Sequence, residues 1–435
     1  MSERLEPVGV IGVGWVGLVT AACFAELGHP VLARDIVPEK VEALSRGEAA
    51  IHEPGLEEML RRNAERITFT TEMPVLLERA RLLFVCVDTP PTYSGDADLS
   101  RVRAVVDDLP TGGGHVLVMK STVPAGTGSS IRRDLPGLSY VSCPEFLKEG
   151  SAVEDFLHPD RVVVGSDPGD EEAAAVVAAL YEPLGGTILQ TDVASAEMIK
   201  LASNAFLATK ISFINEIANV CEEVGADVGE VARGMGSDTR IGSSFLRAGI
   251  GYGGSCFPKD VSALKMLAGN TGYHFQLLTS VIEVNELQKR RVVGKLEKHL
   301  GSLIGKRIAL LGLAFKPDTD DMREASSLVL SARLQGEGAD VVAYDPVAIE
   351  RASEMLTSVE MAGSAMAALE GADAAVLVTE WKEFRDLDWA AAAGAMARPL
   401  IVDGRNYLDP DVLAAAGFEY EGIGRRSRKA ASKVS

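Results

Sequence analysis

A glycine-rich turn near the start of the chain constrains the fold most. The letters GVGWVG at residues 12–17 fit the pattern GxGxxG, follow a short apolar run and open a helical pattern at Trp15. Glycines at this spacing allow a tight strand-to-helix turn and the approach of a pyrophosphate to the helix N-terminus. The segment predicts a dinucleotide-binding unit, while a tight turn without a ligand is the alternative for this motif taken alone.

A carboxylate closes the next apolar run and indicates which dinucleotide binds. Asp35 lies where an acidic side chain can hold a ribose diol, and it would repel the 2′-phosphate of NADP. NAD is therefore the predicted cofactor. The predicted cofactor-binding positions in this segment are Gly12, Val13, Gly14, Trp15, Val16, Gly17 and Asp35.

Alternation of buried strand patterns with helices predicts the architecture. Apolar runs such as RLLFVCV, HVLVMK and RVVVGS are typical of a parallel, doubly wound sheet, and a second series starts at GKRIALLGLAF, residues 305–315. Between them, Glu197 to Val224 forms one long helical pattern that is apolar around most of its circumference, which predicts burial on several sides.

These patterns predict an α/β chain with two doubly wound, Rossmann-like domains joined by a central, mainly helical domain with a long helix. The expected boundaries are an NAD-binding domain at 1–195, a central helical domain at 196–300, a second Rossmann-like domain at 301–422 and a disordered basic tail at 423–435. The single glycine and the lysine of GLAFKPD in the third segment suit a nucleotide or a sugar phosphate, with an ordinary strand end as the alternative.

Charge and cysteine content exclude several classes of function. With 62 acidic and 43 basic residues, the net charge of −19 argues against binding to nucleic acid or to an anionic membrane surface. The five cysteines form no CxxC pair, so neither a disulfide framework nor a metal site is expected, and a reducing cytoplasm is predicted. Val8 to Ala25 is uncharged, but its glycines and the absence of a positive leader argue against a membrane segment.

The stretch GYGGSCFPKD, residues 251–260, carries a candidate nucleophile. Cys256 is predicted to precede a helix N-terminus beside Lys259, a setting that favours a thiolate, and Asp260 follows one helical turn later. The preceding glycines are expected to let the backbone approach a ligand closely. Cys143 is the competing thiol, because it lies two residues from Glu145, but it lacks both the glycines and a neighbouring cation.

Two further polar pairs accompany this thiol. Glu145 and Glu149 follow a strand in SCPEFLKEG, where Glu145 could activate water or could be a helix cap or a solvated charge. Lys200 and Asn204 share one face of the long helix, and they either point inward for a functional reason or mark its only wet stripe.

A dinucleotide, a thiolate, a carboxylate and a lysine together indicate a specific chemistry. Oxidation of an alcohol to a carbonyl requires no thiol. A thiolate can trap an aldehyde as a thiohemiacetal, whose second oxidation leaves a thioester for water to cleave. The set therefore predicts a four-electron oxidation of an alcohol to an acid.

The ordered motifs GVGWVGL, HEPGLEEML, STVPAGT, CPEFLKEG, EMIKLASNAF, GYGGSCFPKD, FKPDTDDMRE and DGRNYL span nearly the whole chain. In this series the chain resembles the nucleotide-sugar dehydrogenases of the UDP-glucose/GDP-mannose dehydrogenase family, and GGSCFPKD is most similar to members that act on UDP-glucose. The resemblance implies an NAD-dependent oxidation of UDP-glucose to UDP-glucuronate, a role in polysaccharide biosynthesis, and a homodimer or higher homo-oligomer formed through the central helices. It also implies that the segment 196–300 is a dimerisation domain and that the segment 301–422 binds the UDP-sugar.

The resemblance also implies roles for individual residues. The implied catalytic residues are Cys256 as nucleophile, Lys200, Asn204 and Asp260 for proton transfer and the oxyanion, and Thr122 and Glu145 for the hydrolytic water. The implied further contacts to NAD are Lys40, Thr89, Thr122, Glu149, Lys259 and Arg323. The implied UDP-sugar contacts are Glu145, Phe146, Leu147, Lys148, Glu149, Lys200, Asn204, Phe245, Leu246, Arg247, Ala248, Gly249, Gly253, Lys316 and Arg405, with Arg240 reaching a neighbouring subunit's site.

Three departures and three alternatives accompany the resemblance. Trp15 stands at a tyrosine-like position, Asp88 replaces a neutral residue, and Cys143 stands where asparagine is common, so contacts near the cofactor and the hydrolytic carboxylate are expected to differ. The alternatives are the same reaction on another UDP-hexose, a two-electron hydroxyacid dehydrogenase, which would not need Cys256, and a non-catalytic nucleotide-sugar sensor.

Overall fold

The computed structural model describes residues 5–49, 51–110, 112 and 114–428, and the chain divides into two compact units. The first unit contains the residues up to Ser203 together with Ser262–His274. The second contains Asn204–Val261 and the residues from Phe275 onward.

The first unit is built on an eight-stranded sheet of order β3-β2-β1-β4-β5-β6-β7-β8. Its strands are β1 (Val8–Ile11), β2 (Val31–Arg34), β3 (Ile67–Thr70), β4 (Leu82–Val85), β5 (Val116–Met119), β6 (Ser139–Ser142), β7 (Arg161–Gly165) and β8 (Thr187–Thr191). Strands β1 to β6 are mutually parallel, which confirms the predicted doubly wound sheet. The RVVVGS run departs from the prediction, because β7 pairs antiparallel with β6.

Helices cover this sheet. They are α1 (Trp15–Glu26), α2 (Pro38–Ser45), α3 (Leu56–Arg62), α4 (Met73–Arg79), α5 (Ser100–Asp107), α6 (Thr127–Asp134), α7 (Ala152–Leu157) and α8 (Glu171–Tyr181), followed by a 3₁₀ turn at Glu182–Leu184. Residues Gly17 to Ala25 of α1 are buried, which explains why this stretch carries no charge. Within the described residues, no helix is long and apolar enough to cross a bilayer.

The long central helix extends further than predicted. It is α9 (Val193–Val224), and it is followed by α10 (Val228–Gly236), α11 (Phe257–Asn270), α12 (Gln276–Gln288) and α13 (Arg291–Leu300). Burial is not complete around α9, because Phe206, Phe213 and Val220 are 65%, 49% and 56% exposed. Their spacing of seven residues places these three side chains on one face.

A six-stranded parallel sheet of order β11-β10-β9-β12-β13-β14 forms the core of the second unit, as the second series of apolar runs predicts. Its strands are β9 (Arg307–Leu311), β10 (Asp340–Tyr344), β11 (Glu360–Met361), β12 (Ala374–Leu377), β13 (Leu400–Asp403) and β14 (Glu419–Gly422). Its helices are α14 (Ser326–Gly336), α15 (Ile349–Met355), α16 (Ala365–Leu369), α17 (Lys382–Arg385), α18 (Trp389–Ala395) and α19 (Pro410–Ala415).

The start of the basic tail is ordered, contrary to the disorder expected from residue 423. Tyr420 and Arg428 exchange two backbone hydrogen bonds of 2.9 Å, and the Arg426 guanidinium donates to the carbonyl of Gly225. Pairing with the edge of the sheet therefore fixes the chain as far as residue 428. The remaining part of the predicted tail, 429–435, lies outside the described residues.

Candidate active site

The predicted dinucleotide turn lies between β1 and α1, at the carboxyl end of the sheet. A Cβ atom on Gly17 would lie 1.8 Å from the carbonyl oxygen of Gly12, so only glycine lets the helix pack this closely on the turn. At Gly14 the nearest such atom is Asp88 Oδ1 at 3.7 Å, which leaves room beside the turn. This combination fits a bound pyrophosphate.

Asp35 follows β2 and faces this turn. Its Oδ2 accepts hydrogen bonds of 3.0 Å from the Val13 amide and from the Lys40 ammonium, and its Oδ1 accepts one from the Val37 amide. A carboxylate ordered in this way beside a glycine turn fits the ribose diol of NAD. The residues of the first unit that were predicted to bind the adenosine end of NAD are thus brought together.

The two departures near the turn acquire partners in the structure. The Trp15 indole nitrogen donates a 3.0 Å hydrogen bond to Glu53, so the larger ring is anchored. Asp88 stands where the family usually has a neutral residue, and its negative charge is compensated by a 2.8 Å ion pair with Arg101. Neither side chain therefore presents an uncompensated polar group to the cofactor turn.

Glu145 and Lys200 form a buried ion pair in the first unit. Lys200 Nζ lies 2.8 Å from Glu145 Oε1, and the Leu147 amide donates a 2.6 Å hydrogen bond to Glu145 Oε2. Burial by itself would raise the pKa of Glu145, but the lysine and this amide outweigh it and hold the pKa below its ordinary value. Glu145 is therefore neither a helix cap nor a solvated charge, and Lys200 points inward.

The loop after β5 contacts the loop after β4. The Thr89 hydroxyl donates a 2.8 Å hydrogen bond to the Thr122 carbonyl, which joins two segments predicted to contact NAD.

The predicted sites that follow Glu145 differ in exposure. Glu149 is buried, whereas Lys148 is exposed and forms a 3.0 Å ion pair with Asp155. Phe146 is half-buried, with the Arg161 guanidinium 3.8 Å from its ring centroid.

Cys256 directly precedes helix α11 in the second unit, as predicted, and its carbonyl accepts a 2.9 Å hydrogen bond from the Asp260 amide. It is the only one of the five cysteines that is not buried. Burial raises the pKa of Cys23 and of Cys86 to about 12, which makes both thiols inert at neutral pH. Cys143 is fully buried, so the competing thiol is inaccessible.

A compensated carboxylate lies one helical turn after this cysteine. Asp260 is 1% exposed, its Oδ1 accepts a hydrogen bond from the Lys259 ammonium, and its Oδ2 accepts a 2.6 Å hydrogen bond from the Asn204 amide. Both carboxylate oxygens accept hydrogen bonds, and the contact with Asp260 fixes the Asn204 side chain. Asn204 thus points inward, like Lys200.

The glycines before Cys256 have a packing role that the sequence did not predict, and the close approach of a ligand stays a prediction. A Cβ atom on Gly253 would lie 2.2 Å from the Glu324 carbonyl oxygen, and one on Gly254, whose φ is +84°, would lie 2.7 Å from the Phe315 ring. The chain itself therefore approaches these positions closely. The glycines allow tight packing of the cysteine loop within its own unit.

Buried amide side chains, which the sequence did not single out, hold this loop. Asn285 accepts a 2.8 Å hydrogen bond from the Tyr252 amide and donates a 3.1 Å one to the Tyr252 carbonyl. Asn215 and Gln288 hold the Gly249 amide and carbonyl in the same way, each at 2.9 Å. Their only signal in the sequence is a polar residue within an otherwise apolar helical pattern.

Arg405 also supports the loop. Its guanidinium donates to the backbone carbonyls of Val378, Gly251 and Phe315 at 2.7, 2.9 and 3.3 Å. Three segments of the second unit are thereby joined by one side chain. In this structure Arg405 orders the predicted sugar-binding loop through its backbone.

The remaining predicted positions of the second unit differ in exposure. Phe245 has a φ of 64°, in the region that favours glycine, while Leu246, Ala248 and Gly249 are buried. Four cations of this group are at least partly accessible, and each has a contact: Arg240 with Asp238, Arg247 with Glu380, Arg323 with Asp321 and Lys316 with the Phe315 ring.

Comparison with known families gives a match to three successive models. They are those of the UDP-glucose/GDP-mannose dehydrogenase family: its NAD binding domain at residues 6–185, its central domain at 194–287 and its UDP binding domain at 309–410. Together these models cover most of the chain, and they support NAD as the cofactor.

Individual relatives extend over nearly the full length. UDP-glucose 6-dehydrogenase YwqF of Bacillus subtilis is 46% identical, over 97% of this chain and 98% of its own. UDP-glucose 6-dehydrogenase of Pseudomonas aeruginosa is 47% identical, over 96% and 97%. The solved UDP-glucose dehydrogenase of Pyrobaculum islandicum matches with a TM-score of 0.90 and 37% identity, over 98% and 99%. The chain therefore belongs to the UDP-glucose/GDP-mannose dehydrogenase family and is an NAD-dependent oxidoreductase.

Proposed function

We propose that this protein oxidises UDP-glucose to UDP-glucuronate through a thiohemiacetal and a thioester on Cys256. The observation that carries the proposal is the accessibility of this one thiol at the start of α11, beside Lys259, while the other cysteines are buried. A helix N-terminus and an adjacent cation both favour the thiolate that such a reaction needs.

The substrate assignment rests on the relatives. Proteins named UDP-glucose 6-dehydrogenase are 46% and 47% identical to this chain over nearly their whole length. A solved UDP-D-ManNAc dehydrogenase from Pyrococcus horikoshii shares the fold with a TM-score of 0.84 but only 29% identity. UDP-glucose is therefore favoured over an N-acetylated UDP-hexose.

The chemistry divides into two oxidations and a hydrolysis. NAD, when bound, accepts one hydride in each oxidation, so the alcohol carbon loses four electrons in all. The Cys256 sulfur adds to the intermediate aldehyde, and the second oxidation converts the resulting thiohemiacetal to a thioester. Water then breaks the carbon–sulfur bond, supplies the second carboxylate oxygen and restores the thiol.

Polar side chains of the chain stabilise the charges that these steps develop. Lys200 and Asn204 donate to the oxyanion, and Asp260 keeps the Asn204 amide oriented. Glu145 is ionised at neutral pH and, with Thr122, positions the hydrolytic water. Lys200 in turn keeps Glu145 ionised, because the two groups form a buried pair.

A stoichiometric assay of a Cys256→Ser variant tests this function. The wild-type protein, incubated with NAD and UDP-glucose, is expected to form about two NADH per sugar consumed. The variant is expected to lose acid formation while it still binds UDP-glucose, and Cys221→Ser, at a buried thiol of the same unit, serves as the control. One NADH per sugar would indicate a simple alcohol dehydrogenase, and indifference to the Ser substitution would favour a sensor.

Self-association follows from the exposed face of α9. Phe206, Phe213 and Val220 would leave a row of apolar side chains in water, and a second copy of this helix can cover them. A homodimer formed through α9 is therefore part of the proposal, and Arg240, which is 86% exposed, is available to a neighbouring subunit. The five free cysteines support a reducing, cytoplasmic setting.

A further inference from the structure

Glu53 of the HEPGL stretch is a buried carboxylate to which the proposed reaction assigns no role. It is 6% exposed, and three N–H groups donate to it: the Trp15 indole at 3.0 Å, the Gly150 amide at 2.8 Å and the Ala152 amide at 2.8 Å. Hydrogen bonds to an ionised acceptor are about twice as strong as neutral ones. The partners lie 38, 97 and 99 residues away along the chain, so Glu53 joins distant segments.

The two segments that meet at Glu53 carry different parts of the proposed chemistry. Trp15 opens α1 within the glycine turn that fits the NAD pyrophosphate. Gly150 and Ala152 end the CPEFLKEG loop and begin α7, directly after Glu145 and Glu149. One side chain thus ties the cofactor turn to the loop of the hydrolytic carboxylate.

The division of contacts between the two oxygens makes this tie specific. Oε2 accepts from both the Trp15 indole and the Gly150 amide, so these two donors converge on a single atom. Oε1 accepts from the Ala152 amide. An amide in place of the carboxylate would turn an N–H group toward at least one of these donors and leave it unsatisfied.

We propose that Glu53 is a positioning residue that holds the NAD turn and the Glu145 loop in register, so that cofactor affinity and thioester hydrolysis both depend on it. Trp15 connects Glu53 to the cofactor turn, because it lies in that turn and its indole N–H donates a hydrogen bond to Glu53. The inference rests on the proposed function, in which Glu145 serves the hydrolytic step.

The test compares Glu53→Gln, Trp15→Phe and the double variant. Glu53→Gln is expected to raise the Kd for NAD about tenfold, measured by calorimetry, and to slow thioester hydrolysis about tenfold in single-turnover assays, since unsatisfied buried donors cost that much. Trp15→Phe keeps an aromatic ring but removes the N–H, so it is expected to raise the Kd alone. The double variant is expected to bind NAD about as Glu53→Gln does, because both changes weaken the same contact between Trp15 and residue 53.

Asp170→Asn is the matched control. Asp170 is a buried carboxylate of the same unit that accepts a backbone hydrogen bond from Tyr140, at the other end of β6 from the Glu145 loop. Wild-type NAD affinity and hydrolysis in Glu53→Gln, equal losses in Asp170→Asn, or additive effects in the double variant would each overturn the inference. If Glu53→Gln does not fold, Trp15→Phe decides, and an unchanged Kd overturns it. Failure of the proposed function would show separately, as one NADH per sugar from the wild-type protein.

Discussion

The Lys200 ammonium lies 2.8 Å from a Glu145 oxygen, and both side chains are almost completely buried. A buried charge without a partner is strongly unfavourable, so each residue depends on the other for its ionised state. In the proposed reaction Lys200 stabilises the oxyanion, and it thus also keeps the carboxylate of Glu145 ionised for the hydrolytic step. One substitution is expected to affect two steps.

Replacing the lysine tests this dependence. In Lys200→Met the lysine no longer opposes the burial of Glu145, so the pKa of this carboxylate should rise. We expect acid formation to fall about 100-fold and the acid-side midpoint of its pH profile to move to higher pH. Rates measured between pH 5 and 9 check this, with the exposed Lys382→Met as control. An unshifted midpoint would contradict the electrostatic role.

Selective alkylation tests the accessibility of the nucleophile. Iodoacetamide at neutral pH should modify Cys256 in the native protein and spare the four buried cysteines, since the pKa values of Cys23 and Cys86 are about 12. Peptide mass spectrometry identifies the site, and loss of acid formation should follow modification in proportion. Bound UDP-glucose should slow the alkylation of Cys256. Modification of Cys143 at a comparable rate would contradict the buried setting found for it.

A buried ionic cluster of the second unit predicts a pH-dependent stability. Glu421 accepts from Lys295 at 3.1 Å, Lys298 at 3.2 Å and His299 at 3.0 Å. Burial opposes the charge, but the Ser427 hydroxyl, Lys295 and His299 lower the pKa of Glu421 to about 2. A lowered pKa stabilises the fold above the ordinary value near 4.5, and this stabilisation is lost as the pH falls toward 2.

Glu421→Gln should therefore lower the free energy of unfolding by about 3 kcal/mol at pH 7. The difference from the wild-type protein should shrink between pH 4.5 and about 2, because both proteins then carry an uncharged side chain. Denaturant titrations at pH 7 and pH 3 measure it. Glu360→Gln, at an exposed pair with Arg307, should cost less than about 1 kcal/mol. A pH-independent difference would contradict the assignment.

The packing of the cysteine loop predicts opposite effects for two identical changes. Gly253→Ala should destabilise the protein by about 1–3 kcal/mol and reduce activity, because the new methyl would collide with the Glu324 carbonyl. Gly234 lies within α10, and a Cβ atom added there would have no neighbouring side chain or loop atom within 4 Å. Gly234→Ala should therefore stabilise the protein by up to about 1 kcal/mol. Thermal denaturation compares the two variants. Equal effects would show that the loop can relax.

The exposed face of α9 predicts the oligomeric state. Phe213→Glu places a charge in the centre of the apolar row, between Phe206 and Val220, and should convert a dimer to a monomer. Light scattering after size-exclusion chromatography measures the mass. Glu350→Lys, a charge change at an exposed position of α15, is the control for a general effect of charge. A wild-type monomer would contradict dimerisation through this face.

Much of the fold could be predicted from local patterns in the sequence. The glycine turn, the start of α11 at Cys256 and the two series of parallel strands each depend on neighbouring residues, so they could be predicted. Strand β8 was not recognised, because its five residues are exposed or half-buried and form no apolar run. The reversal of β7 could not be predicted either, since the direction of a buried strand leaves no mark on its composition.

Partners far apart along the chain mark the limit of such predictions for the site. The sequence left two interpretations for Lys200, an inward side chain or a solvated one. The structure shows the inward direction, through a contact with Glu145, 55 residues away. The roles of Glu53 and Asn285 depend on partners 97 and 33 residues away, and a lone polar residue in an apolar segment does not identify them. The glycines of the cysteine loop were predicted to admit a ligand, whereas their packing against the Glu324 carbonyl and the Phe315 ring could not be predicted from the sequence.

The tight fit around Gly253 and Gly254 has a practical consequence for enzyme engineering. Libraries aimed at new sugar nucleotides should keep both codons fixed, because substitutions there would be eliminated through misfolding before any selectivity could be selected. Diversity is better directed to the exposed side chain of Arg247, where replacement disturbs little of the interior.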